Sequence, residues 1–180
     1  MPCPDHVFDS LPGTGWLTRA EADLLWDTAI KTEGAILEIG CYYGRSTKLL
    51  LSLPMMEALR KRRNRVVHGV DPFSGFDDDV EGQKAYEAVK HLHTLGFSNL
   101  NIWAIRIEDW EPRPCGFCYL DGDHTYQGTI NQIEKALECN PQAIAIHDVN
   151  DTGDGAAIKK AALQLLGPWA KRIERLAIWR

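Results

Sequence analysis

A chain of 180 residues is the size of one domain, and its make-up, 44% hydrophobic and 25% charged, is that of an ordinary globular protein. A formal net charge of -5 supplies no electrostatic footprint for nucleic acid or for an anionic membrane surface. No apolar run approaches the roughly 20 residues of a transmembrane helix. Met1-Pro2-Cys3-Pro4-Asp5-His6 lacks the basic and apolar regions of a signal peptide, so a cytoplasmic protein with no membrane partner is expected.

Residues 1–180 show no internal repeat or low-complexity tract and read as a single domain, with 1–15 as an N-terminal extension. Thr18 and Glu21 have capping-box spacing ahead of an apolar pattern at Ala22, Leu24, Leu25, Trp26 and Ala29, which predicts a helix to about residue 31. Gly34 breaks it, and Ala35 to Ile39 is a first strand running into a Gly-rich turn. Ser46 to Leu53 predicts a helix stopping near Pro54, with the basic stretch Arg60 to Arg65 as its solvated continuation or a loop.

Val66 to Val70 is a second strand ending on Asp71-Pro72, followed by a helix from Glu81 to Leu95 with Gly96 as its stop. Leu100 to Ile105 is a third strand, and Gly116 to Leu120 a fourth that ends on Asp121-Gly122-Asp123-His124. Thr129 to Glu138 is a helix, Ala143 to Ile146 a fifth strand ending on His147-Asp148, Ala156 to Leu166 a helix, and Ile173 to Trp179 a sixth strand. The Cys115-Gly116-Phe117-Cys118 pair has no second pair to complete a zinc site and reads as two reduced thiols at a strand entrance.

Continuous apolar strands alternating with helices predict an α/β fold: a Rossmann-like, doubly wound, mostly parallel sheet of six to seven strands with helices on both faces. Ligands of such sheets bind beyond the carboxyl ends of the strands. Glu38, Asp71, Asp121 and His147-Asp148 all fall at or just inside such ends.

The first turn, Glu38-Ile39-Gly40-Cys41-Tyr42-Tyr43-Gly44, places glycines where a backbone can approach a ligand. Ser46 and Thr47 follow at a helix start, where free amides favour an anionic group. The nicotinamide fingerprint wants a glycine where Cys41-Tyr42 stand, so a pyrophosphate on this turn is disfavoured. Asp71, at the end of the second strand, is placed to accept both hydroxyls of a ribose, or else to cap the turn before Pro72.

Four segments, Ile36 to Leu50, Val66 to Phe76, Cys118 to Tyr126 and Ile144 to Val149, resemble the class I S-adenosylmethionine-dependent methyltransferases. They are most similar to the small-domain group that includes macrolide sugar O-methyltransferases and cephalosporin-hydroxylase-like proteins. The resemblance implies that Glu38, Gly40, Tyr42, Gly44 and Ser46 hold the methionine part of S-adenosyl-L-methionine and that Asp71 binds its ribose. Pro72, Phe73, Arg106, Ile107 and Glu108 would border the adenine, and Asp121 would sit below the sulfonium.

In metal-dependent members, carboxylates after the fourth and fifth strands hold a divalent ion. Asp121, His147 and Asp148 would hold Mg²⁺ or Ca²⁺ here, with Asp123 offering a further oxygen. Asp121, His124 and His147 are the catalytic candidates, either imidazole serving as the base.

The chain departs from the family in three ways. Asn140-Pro141 stands where a Gly-Gly pair is usual, and Arg180 follows the sixth strand so closely that the antiparallel seventh has no evident place. No lid is evident beyond Phe73 to Gly82, with Asp77-Asp78-Asp79, and the first 15 residues, so the acceptor pocket would be open or completed by a second copy in a homodimer. The expected function is O-methylation of a small hydroxylated acceptor. The alternatives are a non-catalytic cofactor-binding protein and, more remotely, an NAD-dependent Rossmann enzyme.

Overall fold

Four short apolar runs form the parallel centre of a sheet: β1 (Ala35–Ile39), β2 (Val67–Val70), β4 (Cys115–Leu120) and β5 (Ala143–Ile146), with β3 (Leu100–Trp103) outside β2. The computed structural model describes residues 1–13, 15–59, 65–74 and 79–180. Among these the sheet has seven strands in the order β3-β2-β1-β4-β5-β7-β6, and only β7 (Leu176–Trp179) runs antiparallel to its neighbours β5 and β6 (Lys171–Ile173).

Successive strand residues point to opposite faces, so a strand covered on both faces must be apolar throughout. Ile36, Phe117, Tyr119 and Ala145 pack with α2 (Arg19–Ala29), α3 (Arg45–Leu59) and α4 (Asp79–Thr94). Leu37, Cys118, Leu120, Ile144 and Ile146 pack with α5 (Tyr126–Glu138) and α6 (Gly153–Leu166). β1 and β4 are paired at the centre, where strand order reverses, and ligand crevices of such sheets open at this point. No helix among the described residues is long and apolar enough to cross a membrane.

Thr18 caps α2 with the reciprocal bonds of a capping box, as its spacing predicts. A short helix, α1 (Asp5–Phe8), precedes it, so the N-terminal extension is folded onto the core through Cys3, Val7 and Leu11. The cysteines are free and buried, Cys115 and Cys118 among them.

The structure departs from expectation at three elements. α3 passes through Pro54 to Leu59. A proline costs one amide donor, and the fully buried Leu49, Leu50, Leu51 and Leu53 hold the helix to the core regardless. The single sixth strand expected over Ile173 to Trp179 is a hairpin, with Ile173 paired to Leu176 and the turn made by Glu174 at φ 49. The seventh, antiparallel strand is therefore present within the same residues. Of the stretch Arg60 to Arg65, only Arg65 is among the described residues, and Asp77 and Asp78 lie outside them.

Candidate active site

A cavity of about 720 Å³ opens at the carboxyl ends of β1, β2, β4 and β5, a size usual for small-molecule sites. Gly40, Tyr42, Ser46, Asp71, Pro72, Arg106, Ile107, Glu108, Asp121, His124, His147 and Asp148 all line it. Residues far apart in sequence thus converge as the strand-end pattern predicts. Glu38, Gly44 and Phe73 do not line it. Glu38 lies fully buried on β1, Gly44 backs onto Val89 and Leu92, and Phe73 turns away onto Tyr86 with ring centroids 5.2 Å apart.

The first turn is shaped from below. Gly40 has φ +87, and a Cβ there would lie 2.1 Å from the Asp121 carbonyl oxygen, so only glycine lets the β1 turn close onto the end of β4. One oxygen of Asp71 accepts the Cys41 and Tyr42 amides at 2.8 and 2.9 Å, and the other accepts the Phe73 amide at 2.7 Å. Tyr42 and Phe73 sit at φ 48 and 49, a region costly for bulky residues, and this carboxylate holds both. Burial raises the Asp71 pKa, against the three amide bonds. Both Glu38 oxygens are buried without a hydrogen-bond partner, and desolvation pushes that carboxyl up to about 8, although the nearby Ser46 and Thr47 hydroxyls oppose the rise.

On the opposite wall, His147 is 2% exposed and stands among three carboxylates. Its Nδ1 lies 3.4 Å from Asp121 Oδ1 and 3.5 Å from Asp148 Oδ2, and its Nε2 lies 3.3 Å from Glu21 Oε2. The Nε2 approach lies off the hydrogen-bonding direction, so it is an ion-pair contact and not a directed bond. Burial disfavours the imidazolium, but Asp121, Asp148 and Glu21 outweigh it and push His147 up to about 12. Desolvation resists ionisation of Asp121 and Glu21 too, yet His147 holds each down at about 2.

His124 Nε2 lies 3.7 Å from Asp121 and 3.6 Å from Asp148, and the neighbouring Asp121 carboxylate raises its pKa. Tyr119 Oη donates to Asp121 at 2.9 Å, and Arg175 Nη1 lies 2.9 Å from Asp148, itself at φ 55. Donor atoms of Asp121, His124 and Asp148 all lie within 4.8 Å of one another, the only such metal-competent group among the described residues. Asp123 also lines the cavity, and its Oδ1 accepts the Thr125 amide at 2.8 Å before α5.

Glu21 and Arg175 were not legible as site residues. Glu21 carries the capping-box signature, and it does accept the Thr18 amide at 3.0 Å, but its other oxygen accepts the Arg175 amide at 3.1 Å. Nothing local signals that second duty. The wall formed by Gly15, Trp16 and Leu17 is likewise invisible in the local pattern.

A family model described as a methyltransferase domain matches residues 37–149, more than half of the chain. No curated protein sequence matches. Among solved structures, the TDP-rhamnose 3'-O-methyltransferase of calicheamicin biosynthesis aligns over 97% of this chain and 90% of its own, with TM-score 0.63 and 16% identity. An O-methyltransferase from Bacillus cereus, solved in complex with SAH, aligns over 91% of this chain and 79% of its own (TM-score 0.57, 16% identity). A SAM-dependent O-methyltransferase from Thermotoga maritima aligns over 85% and 52% (TM-score 0.59, 14% identity). At these identities the likeness establishes a shared fold.

Proposed function

The chain belongs to the methyltransferase-domain family, and from that membership we propose that it binds S-adenosylmethionine in the strand-end cavity and methylates a hydroxyl of a small acceptor. The observation carrying this reading is the convergence of the Gly40–Tyr42 turn, Asp71, Ile107–Glu108 and Asp121 on one cavity. The fold-mates named above, O-methyltransferases by description and one of them holding SAH, support the same reading.

The residues present fit the cofactor. Arg45 and Ser46, in the first turn of α3, line the cavity, and the free amides of a helix start suit a carboxylate there. Glu38 lies buried beneath the turn beside the Ser46 and Thr47 hydroxyls and supports it from outside the cavity. Asp71 retains lone pairs for a diol after its three amide bonds. Pro72 and Ile107 give apolar walls for a base, with Arg106 and Glu108 at its edge.

When bound, the cofactor supplies an electrophilic methyl group on a sulfonium. Asp121, held by Tyr119 and His147, keeps negative charge at that edge of the cavity. His147 is 2% exposed and enclosed by Asp121, Asp148 and Glu21, so the base role falls to His124, whose ring is 41% exposed. His124 would take the proton of an acceptor hydroxyl held at the Asp121 and Asp148 edge of the cavity. Residues 1–180 act as one methyltransferase unit, with the N-terminal extension closing one side.

The Asp121, His124 and Asp148 donor set also fits a divalent ion such as Mg²⁺ or Ca²⁺. Such an ion would lower the pKa of an acceptor hydroxyl and would take His124 as a ligand in place of a base, with His147 outside the donor set. The test is a methyl-release assay over a panel of hydroxylated acceptors, with and without EDTA. Transfer to a hydroxyl supports the proposal. Cofactor binding with no transfer to any acceptor favours the non-catalytic reading.

A further inference from the structure

Trp16 is the most exposed large apolar side chain among the described residues, at 76%, and it lines the cavity. Buried tryptophans such as Trp26 and Trp110 are 1% and 2% exposed, so this indole is set apart. Its position is not that of a loose end. Arg45, in the first turn of α3, donates its Nε to the Leu17 carbonyl at 3.2 Å and its Nη1 to the Pro12 carbonyl. Lys48 donates to the Ser10 carbonyl. The Phe8 ring lies under two guanidinium groups, Arg19 at 5.1 Å and Arg45 at 5.4 Å.

Gly15 sits at φ +121, and a Cβ there would press on the Arg45 side chain at 3.0 and 3.1 Å. Only glycine makes that turn, while Leu17 on the other side is buried. The backbone around Trp16 is therefore fixed to the helix that starts at the cofactor turn. An indole left uncovered on an anchored backbone offers a flat apolar face with only two side-chain torsions to order.

We infer that Trp16 is the acceptor platform, stacking the apolar face of a hydroxylated ring, a pyranose or a phenol, whose hydroxyl is turned toward the Asp121, His124 and Asp148 wall. This inference rests on the cofactor assignment above. A ring matches the observations better than an open chain, because a broad indole and the polar Asp121, His124 and Asp148 group line the same cavity. Stacking on aromatic faces is sequence-independent chemistry open to sugars and phenols alike, and the two are separated by experiment.

The protein is labelled with 5-fluorotryptophan, saturated with S-adenosylhomocysteine, and titrated with methyl α-rhamnopyranoside, catechol or erythritol while the fluorine spectrum is recorded. Trp16→Phe identifies the Trp16 signal among the six. Expected is a saturable shift of the Trp16 signal with at least one ring probe and none with erythritol. The responding probe distinguishes a sugar from a phenol. Trp16→Ala weakens that probe's binding at least tenfold and Trp16→Phe less than threefold, while S-adenosylhomocysteine affinity stays within twofold of the parent. Bound S-adenosylhomocysteine with no ring probe moving the signal, or erythritol moving it equally, overturns the platform alone. Failure of S-adenosylhomocysteine to bind overturns the cofactor assignment and this inference with it.

Discussion

Glu21→Gln removes one of three carboxylates facing a buried imidazolium while keeping the side chain's shape. His147 is 2% exposed and Glu21 fully buried, so solvent cannot replace the lost charge. Breaking a buried pair from one side costs about 3–5 kcal/mol. The amide would also turn an N–H donor toward either the His147 ring or the Arg175 amide, which Glu21 accepts at 3.1 Å. For a chain of this length the loss lowers Tm by roughly 6–20 °C.

The pH dependence gives the sharper test. His147 is raised from 6.5 to about 12 in the fold, so its contribution is complete below pH 6.5 and is lost as pH climbs toward 12. Between pH 7 and 9 the folded chain holds a proton that the unfolded one has released. The stability difference between the parent and His147→Gln should therefore shrink by about 1.4 kcal/mol per pH unit over that range. Glu21, lowered to about 2, works at the other end: its contribution is present above pH 4.5 and lost below it. Urea unfolding at a series of pH values measures both. A parent-minus-variant difference that stays flat from pH 7 to 9 refutes the buried imidazolium and the role given to Glu21.

Gly40→Ala places a methyl 2.1 Å from the Asp121 carbonyl oxygen at φ +87, so the first turn must open. S-adenosylhomocysteine affinity should drop at least a hundredfold by calorimetry, and an affinity within threefold of the parent would count against the turn. Glu38→Gln removes a carboxyl whose pKa desolvation raises from 4.5 to about 8, so the parent loses stability as pH rises through that interval. The variant should gain on the parent by on the order of 4 kcal/mol by pH 8, read from urea unfolding, with no gain at pH 4. Mg²⁺ should raise the parent's Tm and leave Asp148→Ala unmoved; equal shifts in both would place the ion elsewhere.

The architecture was legible because burial on both faces makes β1, β2, β4 and β5 largely apolar, Glu38 and His68 apart, and because Asp71, Asp121 and His147 follow β2, β4 and β5 directly. Gly40 and Asp71 announced themselves by type and place. Other features depend on partners that local pattern cannot specify. Glu21 satisfies the Thr18 cap within one turn, while its bond to Arg175 spans 154 residues. The β6–β7 turn relies on Glu174 adopting positive φ with neither glycine nor asparagine to mark it. Pro54 signals a stop, and tertiary packing of the preceding leucines overrides it. Trp16 carries no motif at all: its meaning comes from Arg45, which reaches back across the N-terminal extension.

The account's central claim is that the strand-end cavity holds S-adenosylmethionine, and calorimetric titration with S-adenosylhomocysteine tests it most directly, on the parent and on Asp71→Ala. One saturable site on the parent, weakened at least tenfold in the variant, with no heat from NAD, is the predicted result. No binding to the parent, or equal affinity in both proteins, would contradict it.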